Sequence, residues 1–163
     1  MPSIITLLAF EEGWREKPYI DTEGYPTVGY GFKIGPRGAP LSHYTFTLPR
    51  EAGNAWMLAH VARMLLEMRA KPSINKALVA CLEPNTDASP MYNPRGAVLV
   101  SMAYQMGVDG LVGFRNTLMA IANKDWFTAE TGMLKSRWAS QTPKRARRHA
   151  AQMRSGEWQP EYL

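Results

Sequence analysis

The chain is poor in cysteine, the residue that cross-links many small secreted proteins. Cys81 is the only cysteine among 163 residues, so no disulfide can form within the chain. This excludes a disulfide-stapled scaffold and leaves the fold to a buried apolar core. Cys81 lies in the apolar helical stretch NKALVACLEP, which predicts a small core residue.

Long apolar runs and metal-binding motifs are also missing. No apolar segment approaches the ~20 residues that are needed to cross a bilayer. The run from Ile4 to Phe10 lacks a preceding basic region and is followed by acids, so it predicts a helix of the mature protein instead of a signal peptide. His43, His60 and His149 are scattered without ligand spacing, which predicts no metal site.

Positive charge is what the chain has in excess. The 19 Lys and Arg residues outnumber the 14 Asp and Glu residues, for a net charge of +5. Such a surface favours an anionic partner, whether a bacterial envelope polymer, a lipid surface or nucleic acid. The sequence leaves open whether the C-terminal basic run contacts such a partner or is a solvated helix face; this run comprises Lys144, Arg145, Arg147, Arg148, His149 and Arg154.

The pattern of apolar residues predicts an α+β protein that is mostly helical. Ser3 is a plausible N-cap for a first helix that ends at Gly13. Between Trp14 and Ile34 the chain reads as short antiparallel strands with a turn near Thr22 to Gly24. A long helix is expected over 49–71, and further helical patterns follow at about 73–83, 94–106, 115–123, 125–135 and 143–155.

These elements suggest one domain, 1–163, with two lobes. Residues 14–48 form a small β-containing lobe, and residues 49–71 form a connecting helix. Residues 72–163 form an all-helical C-terminal lobe, on which the helix 3–12 packs. At about 22 residues the connecting helix would be ~33 Å long, enough to link two lobes.

The stretch EEGWREKPYIDTEGYPTVGYGF carries the chemistry-bearing residues. Glu12 and Asp21 are nine residues apart with a chain reversal between them, so they can face each other over a groove. Glycosidic cleavage needs two carboxyl groups, a protonated acid and an ionised partner. Thr27 in the next strand has a hydroxyl that can hold a water. From spacing alone, solvated acids around a hairpin remain the alternative.

Three blocks of the sequence resemble the phage-type lysozymes, glycoside hydrolase family 24. The second block, SMAYQMGVDGLVGFRNTL at 101–118, resembles the helix that lines the family's cleft. The third, KSRWASQTPKRARR at 135–148, resembles its C-terminal motifs. The first block matches the family pattern through Glu12, Gly13, Arg15, Tyr19, Asp21, Gly24, Thr27, Gly29 and Gly31.

The resemblance implies a lysozyme-like two-lobed fold and a role for each matched residue. Glu12 aligns with the general acid, Asp21 with the second carboxylate and Thr27 with the residue that positions the attacking water. Adjacent Glu11 is then not the acid, although adjacency alone does not decide between the two. Further positions align with residues that contact substrate: Lys33, Tyr104, Gln105, Thr117 and Gly132.

The family's activity implies an inverting muramidase. The expected substrate is bacterial peptidoglycan, cut at the β-1,4 bond between N-acetylmuramic acid and N-acetylglucosamine, with bacterial lysis as the outcome. We expect no cofactor, no metal, no nucleic-acid partner and no stable protein partner. The protein is expected to stay in the host cytoplasm until it is released to the cell wall. The alternative is a non-catalytic basic module that binds envelope or nucleic acid.

Some positions depart from the family pattern. Phe32 stands where a well-known member has a histidine, and Lys33 stands where an apolar residue is expected. Gly132 replaces an amide side chain. The segment 36–47 is shorter than in that member, and 83–93 is longer and more loop-like. We therefore expect a trimmed β lobe and altered sugar contacts.

Overall fold

A computed structural model describes all of residues 1–163 and confirms the mostly helical α+β fold. Three 3₁₀ turns lie at Leu41–His43, Pro90–Tyr92 and Pro160–Tyr162. The three strands are β1 (Arg15–Ile20), β2 (Pro26–Gly29) and β3 (Phe32–Lys33). The helices are α1 (Ile4–Glu12), α2 (Arg50–Ala70), α3 (Pro72–Leu82), α4 (Pro94–Met106), α5 (Val108–Val112), α6 (Arg115–Ala122), α7 (Trp126–Leu134), α8 (Arg137–Gln141) and α9 (Pro143–Ser155).

The first helix places two glutamates at its C-terminal end. Ser3 caps α1, since its side chain accepts from the Ile5 backbone N–H at 3.2 Å, and its own N–H donates to the Thr6 hydroxyl. Such a reciprocal cap satisfies two N–H groups that the helix itself leaves free. Gly13 ends the helix with a φ of 71°, a conformation that favours glycine.

The sheet is a small antiparallel meander in the order β1-β2-β3. Thr27 lies on the central strand, where its Cα pairs with Tyr19 on one side and Lys33 on the other. The chain reverses between β1 and β2 through a turn in which the Asp21 N–H donates to the Tyr25 carbonyl at 2.9 Å. This hairpin fixes Asp21 at the end of β1, near Thr27.

Helix α2 joins the sheet to the helical part of the molecule. Its N-terminal half carries Gly53, where a Cβ would lie 2.3 Å from the Trp14 ring. Only glycine therefore lets Trp14 pack this closely against the helix. Trp56, one turn further on, stacks on Phe32 with ring centroids 4.4 Å apart. The C-terminal half of α2 buries Met64 and Met68 in the main core.

The main core lies among the helices that follow α2. Helix α4 is at its centre, because every residue from Gly96 to Ala103 is buried. Helix α1 packs against α4 and against the 3₁₀ turn at the C-terminus, while α9 packs against α7, α8 and α4. Cys81 is buried, as its apolar surroundings predicted. None of the helices has the length and apolar character to cross a membrane.

Two short helices, α5 and α8, were not predicted from the sequence. Each has five residues, too few to produce a 3.6-residue apolar period. Helix α5 also lies between Gly107 and Gly113, two glycines that interrupt the helical patterns of the sequence. Helix α8 begins at a cap that is visible only in the structure, where the Ser136 hydroxyl accepts from the Ala139 N–H at 3.1 Å.

Candidate active site

Glu12, the last residue of α1, lies at the edge of a groove between the helices and the sheet. Its Oε1 accepts a charge-assisted hydrogen bond from Arg145 Nη1 at 2.7 Å, and its side chain is 21% exposed. Its Oε2 lies 3.7 Å from the position that a Cβ would take on Gly31. One carboxyl oxygen is thus fixed by an arginine, and the other faces the bare backbone of Gly31.

Helix α9 is not a uniformly solvated basic face. Arg145 and His149 are buried, whereas Lys144, Arg147 and Arg154 are exposed. The spacing of Arg145, His149 and Gln152 places them on one side of the helix. In the sequence, these three polar residues recur at helical spacing beside Ala146, Ala150 and Met153, which are also buried. This pattern could have identified Arg145 and His149 as buried residues.

A chain of hydrogen bonds runs from Glu12 into the core behind it. Arg145 Nη2 donates to the Ser101 hydroxyl at 2.8 Å, and that hydroxyl lies 2.8 Å from His149 Nε2. Arginine can only donate, so the Ser101 oxygen accepts from Arg145. At the other side of the ring, the Tyr162 hydroxyl donates to Glu11 and can therefore only accept from His149 Nδ1, 3.3 Å away. Burial lowers the pKa of His149, so the ring is neutral, carries its proton on Nδ1 and accepts from Ser101 at Nε2.

The chain of hydrogen bonds ends at Glu11, the acid that precedes Glu12 in the sequence. The Tyr162 hydroxyl donates to Glu11 Oε1, and Arg148 donates to both Glu11 oxygens at 2.9 and 2.8 Å. The Glu11 side chain is only 4% exposed. The hydrogen bond to Glu11 also raises the pKa of Arg148. Glu11 is therefore fully engaged inside the protein, whereas Glu12 keeps one oxygen open.

Asp21 occupies the turn that follows β1 and is half-buried. Its Oδ1 accepts from the backbone N–H groups of Tyr25 and Glu23 at 2.8 and 2.9 Å. These bonds, with that of Tyr25 the largest cause, lower the pKa of Asp21. A carboxylate that accepts backbone N–H groups favours its charged form. Asp21 is thus ionised at neutral pH.

Thr27 lies on the central strand, β2, and is only 2% exposed. Its hydroxyl donates to the Tyr25 carbonyl at 2.9 Å, which leaves the oxygen free only to accept. Tyr19 pairs with Thr27 across the sheet. Burial raises the pKa of Tyr19, opposed by Arg15, and the charges of Asp21 and Glu12 raise it further. Both acids therefore lie near one tyrosine.

Two of the predicted substrate contacts lie around the groove beside Glu12. This groove has a volume of about 240 Å³. The Tyr104 hydroxyl donates to the Tyr30 carbonyl at 3.1 Å. Burial, and then the charge of Glu12, raise the pKa of Tyr104. The Lys33 ammonium lies 3.3 Å from Glu23 Oε2 and 4.0 Å from the Tyr25 ring centre. The groove is lined by Gly31, Phe32, Lys33, Trp56, His60 and Tyr104.

The other predicted contacts lie at a second, larger cavity of about 620 Å³ among the C-terminal helices. Thr117 and Gly132 line it, and a Cβ on Gly132 would lie 2.5 Å from Thr117 Oγ1. The Thr117 side chain thus fills the space that a side chain at 132 would need. Gln105 accepts from Trp138 Nε1 at 2.8 Å, and Trp138 lines the same cavity. The predicted residues therefore form two groups.

No group of three or more histidine, cysteine, aspartate or glutamate side chains is arranged to hold a metal ion. The residues that line the groove beside Glu12 offer one hydroxyl, one ammonium, one imidazole and aromatic rings.

A small sheet and a helical body joined by a long helix, with acids at the groove, define a lysozyme-like fold. The phage lysozyme family model matches residues 9–152, and the chain belongs to this family. The chain is 29% identical to "Probable T4-type lysozyme 1" of Dictyostelium discoideum, over 94% of this chain and 95% of that protein.

Two phage proteins match over a smaller part of their own length. The "Pre-baseplate central spike protein Gp5" of Enterobacteria phage T4 is 29% identical over 90% of this chain and 26% of its own. "Peptidoglycan hydrolase gp36" of Pseudomonas phage phiKMV is 32% identical over 85% of this chain and 14% of its own. The similar region thus occurs both as most of a protein and as part of larger ones.

Proposed function

We propose that this protein is a lysozyme that hydrolyses bacterial peptidoglycan. The bond cut is the β-1,4 linkage between N-acetylmuramic acid and N-acetylglucosamine. Membership of the phage lysozyme family supports this, as do relatives named as a lysozyme and a peptidoglycan hydrolase. The observation that carries the proposal is the Glu12 carboxyl, with one oxygen held by Arg145 and the other at the groove.

Glu12 acts as the general acid. Arg145 donates to Oε1, so in the acid form the proton for the substrate is carried by Oε2, the oxygen next to Gly31. That proton passes to the glycosidic oxygen as the C–O bond breaks and positive charge develops on the sugar ring. Asp21, held ionised by backbone N–H groups, faces this charge as the second carboxylate.

Thr27 and Asp21 position the water that attacks the sugar. Since the Thr27 hydroxyl already donates to the Tyr25 carbonyl, it can only accept a hydrogen bond from this water. Asp21 accepts the water's other proton as the new C–O bond forms. A water between the carboxylate and the sugar gives inversion, so the β-linked substrate yields an α-anomer first.

The glycan strand contacts both groups of residues around the site. Lys33 and Tyr104 meet it at the groove beside Glu12, and Gln105, Thr117 and Gly132 meet it at the cavity in the helical part. At Gly132 only the backbone is available for contact, because Thr117 occupies the side-chain space. Degradation of the wall in this way leads to bacterial lysis. The chemistry uses side chains and water and needs no cofactor.

The test is hydrolysis of purified peptidoglycan, followed by proton NMR and by the release of reducing ends. Glu12→Gln keeps an oxygen for Arg145 but removes the proton donor, so activity should fall by at least ~10²-fold. The first product should be the α-anomer. Glu11→Gln is the matched control: it weakens contacts to Arg148 and Tyr162, so it should lower stability and leave most activity at temperatures where it is folded.

Each part of the proposal has its own contrary result. An initial β-anomer means retention and overturns the inverting mechanism. An inactive Glu11→Gln beside an active Glu12→Gln reverses the assignment of the acid. Sedimentation of the protein with walls without new reducing ends would identify the non-catalytic binding module instead.

A further inference from the structure

An exposed aromatic surface borders the groove next to Glu12. The Trp56 ring stacks on Phe32, with centroids 4.4 Å apart and planes at 20°. Phe32 is only 8% exposed, whereas Trp56 is 42% exposed. Because Phe32 covers one face of the indole, the exposure of Trp56 comes from its opposite face and its edges. Apart from Phe32, no aromatic ring of the chain packs on this indole.

His60 and Tyr104 extend this surface along the groove. His60 follows Trp56 by four residues on α2, so both side chains project from the same side of that helix. The His60 ring meets the Tyr104 ring edge-on, with centroids 5.3 Å apart at 89°. We call Phe32, Trp56 and His60 the aromatic platform.

The aromatic platform is continuous with the candidate catalytic centre. Gly31 lines the same groove, and the position of a Cβ on it lies only 3.7 Å from Glu12 Oε2. With no side chain at 31, nothing from that residue separates the platform from the acid. The groove therefore extends from the open oxygen of Glu12 past Gly31 to Trp56.

We propose that Trp56 forms a sugar-binding subsite, on which one N-acetylated pyranose ring of the glycan strand stacks. The inference rests on the proposed function and adds to it a binding residue, Trp56, outside the positions implied by the family resemblance. The C–H groups on one face of a pyranose suit an aromatic ring, and the His60 edge offers a hydrogen-bond partner to hydroxyl or acetamido groups.

The size and charge of the groove fit a single neutral sugar. Its volume of about 240 Å³ is below that of sites for drug-sized ligands, ~300–1,000 Å³. Lys33, the cation of the groove, already contacts Glu23 and the Tyr25 ring. The ring of Trp56 thus offers apolar contact area next to polar groups, which is the combination that orients a sugar.

The experiment compares steady-state hydrolysis of a soluble N-acetylated peptidoglycan oligosaccharide by wild type, Trp56→Leu and Trp56→Phe. Trp56→Leu keeps apolar cover on Phe32 but removes the aromatic face. We expect KM to rise about 3- to 10-fold with little change in kcat, the range for one aromatic contact. Trp56→Phe keeps an aromatic face, so its KM should be close to that of the wild type.

Leu66→Ala is the control, since Leu66 lies on the same helix, is 72% exposed and is not part of the groove.

The outcomes separate this inference from the proposed function. Equal KM values for all four proteins overturn the subsite and leave the lysozyme activity standing. A fall in kcat with an unchanged KM also overturns it, because it indicates a disturbed acid and not a lost contact. A wild-type protein that neither binds nor cuts the oligosaccharide overturns the proposed function itself.

A second measurement leaves Trp56 unchanged, in case Trp56→Leu does not fold. In ¹⁵N-labelled Glu12→Gln, the indole N–H signal of Trp56 should shift during titration with the oligosaccharide. Trp126 is the internal reference, because it lies under Arg95 and outside both cavities. A saturating titration that leaves the Trp56 signal in place contradicts the subsite.

Discussion

Two adjacent glutamates show what the sequence could and could not reveal about individual residues. The spacing of Glu12, Asp21 and Thr27 identified a candidate site, and the family resemblance assigned the acid to Glu12. Adjacency did not separate Glu11 from Glu12. Their environments differ because Glu11 is bound by Arg148, 137 residues away, and Glu12 by Arg145, 133 residues away. Contacts at that separation follow from the packing of both α1 and α9 on α4, which no local pattern encodes.

Thr27 provides a test at the level of a single hydroxyl group. Thr27→Val keeps the β-branched shape but removes the acceptor that we propose for the attacking water. It also removes one of the two hydrogen bonds to the Tyr25 carbonyl, which keeps the Asp21 N–H as a donor, so we expect a loss of no more than about 1 kcal/mol in the free energy of unfolding. Activity should fall by ~10-fold or more, since a misplaced nucleophile is costly. Thermal unfolding and hydrolysis of peptidoglycan measure the two effects.

Thr27→Ser is the matched control, because it retains the hydroxyl and loses only a methyl group. Most of the activity should return in this variant. If Thr27→Val and the wild type hydrolyse peptidoglycan equally fast, Thr27 is a structural strand residue and the water is held elsewhere.

At the scale of elements, clear terminal signals made most helices predictable. Ser3 and Gly13 bound α1, and Pro49 and Pro72 bracket α2, so the predicted limits agree with the structure to within a residue or two. The five-residue helices α5 and α8 are too short to show a 3.6-residue apolar period, and they were not predicted. The burial of Arg145 and His149 was not predicted either, because it depends on the packing of α9 on α4.

The buried position of His149 predicts how α9 responds to pH. Burial is the largest cause that lowers the pKa of His149, followed by the charges of Arg145 and Arg148. The other groups that face it are the Ser101 hydroxyl of α4 and the Tyr162 hydroxyl, which is bonded to Glu11 of α1. Protonated His149 could not accept from Ser101, the residue that holds Arg145 on its other side.

Stability should therefore fall as the pH is lowered from 7 to 5.5. The folded state favours neutral His149, so below the ordinary histidine pKa of ~6.5 the unfolded chain binds more protons. This single group then removes up to ~1.4 kcal/mol of unfolding free energy per pH unit. His149→Gln does not titrate and should show a shallower slope in urea unfolding. Parallel slopes for the two proteins would falsify the role of His149.

For the whole molecule, we propose one domain, 1–163, divided into a β-containing lobe 14–48, a connecting helix 49–71 and a helical lobe 72–163 that includes helix 3–12. Helix α2 supports this division. It meets the sheet through Trp56 on Phe32 and the helical part through its packing on α3 and α4. Under this division, Glu12 of α1 and Asp21 of the hairpin belong to different lobes.

The net charge of +5 belongs to the whole molecule, but its effect on an envelope depends on where the free charges lie. Arg145 and Arg148 are paired with Glu12 and Glu11, and Arg154 lies 3.6 Å from Glu130. Lys144 and Arg147 are exposed. We therefore propose that these two residues supply the attraction of α9 to an anionic envelope.

The double variant Lys144→Gln, Arg147→Gln tests this attraction. Exposed charges act over a Debye length of ~8 Å at physiological salt and further at low salt. Lysis of permeabilised bacterial envelopes should therefore slow several-fold at low ionic strength, and the difference should shrink as salt is added. Hydrolysis of a short soluble oligosaccharide should hardly change.

The double variant Lys17→Gln, Lys76→Gln is the matched control, because it removes the same charge from exposed sites on β1 and α3. An equal loss in this control would assign the effect to net charge, and a salt-independent loss on both substrates would contradict the proposal.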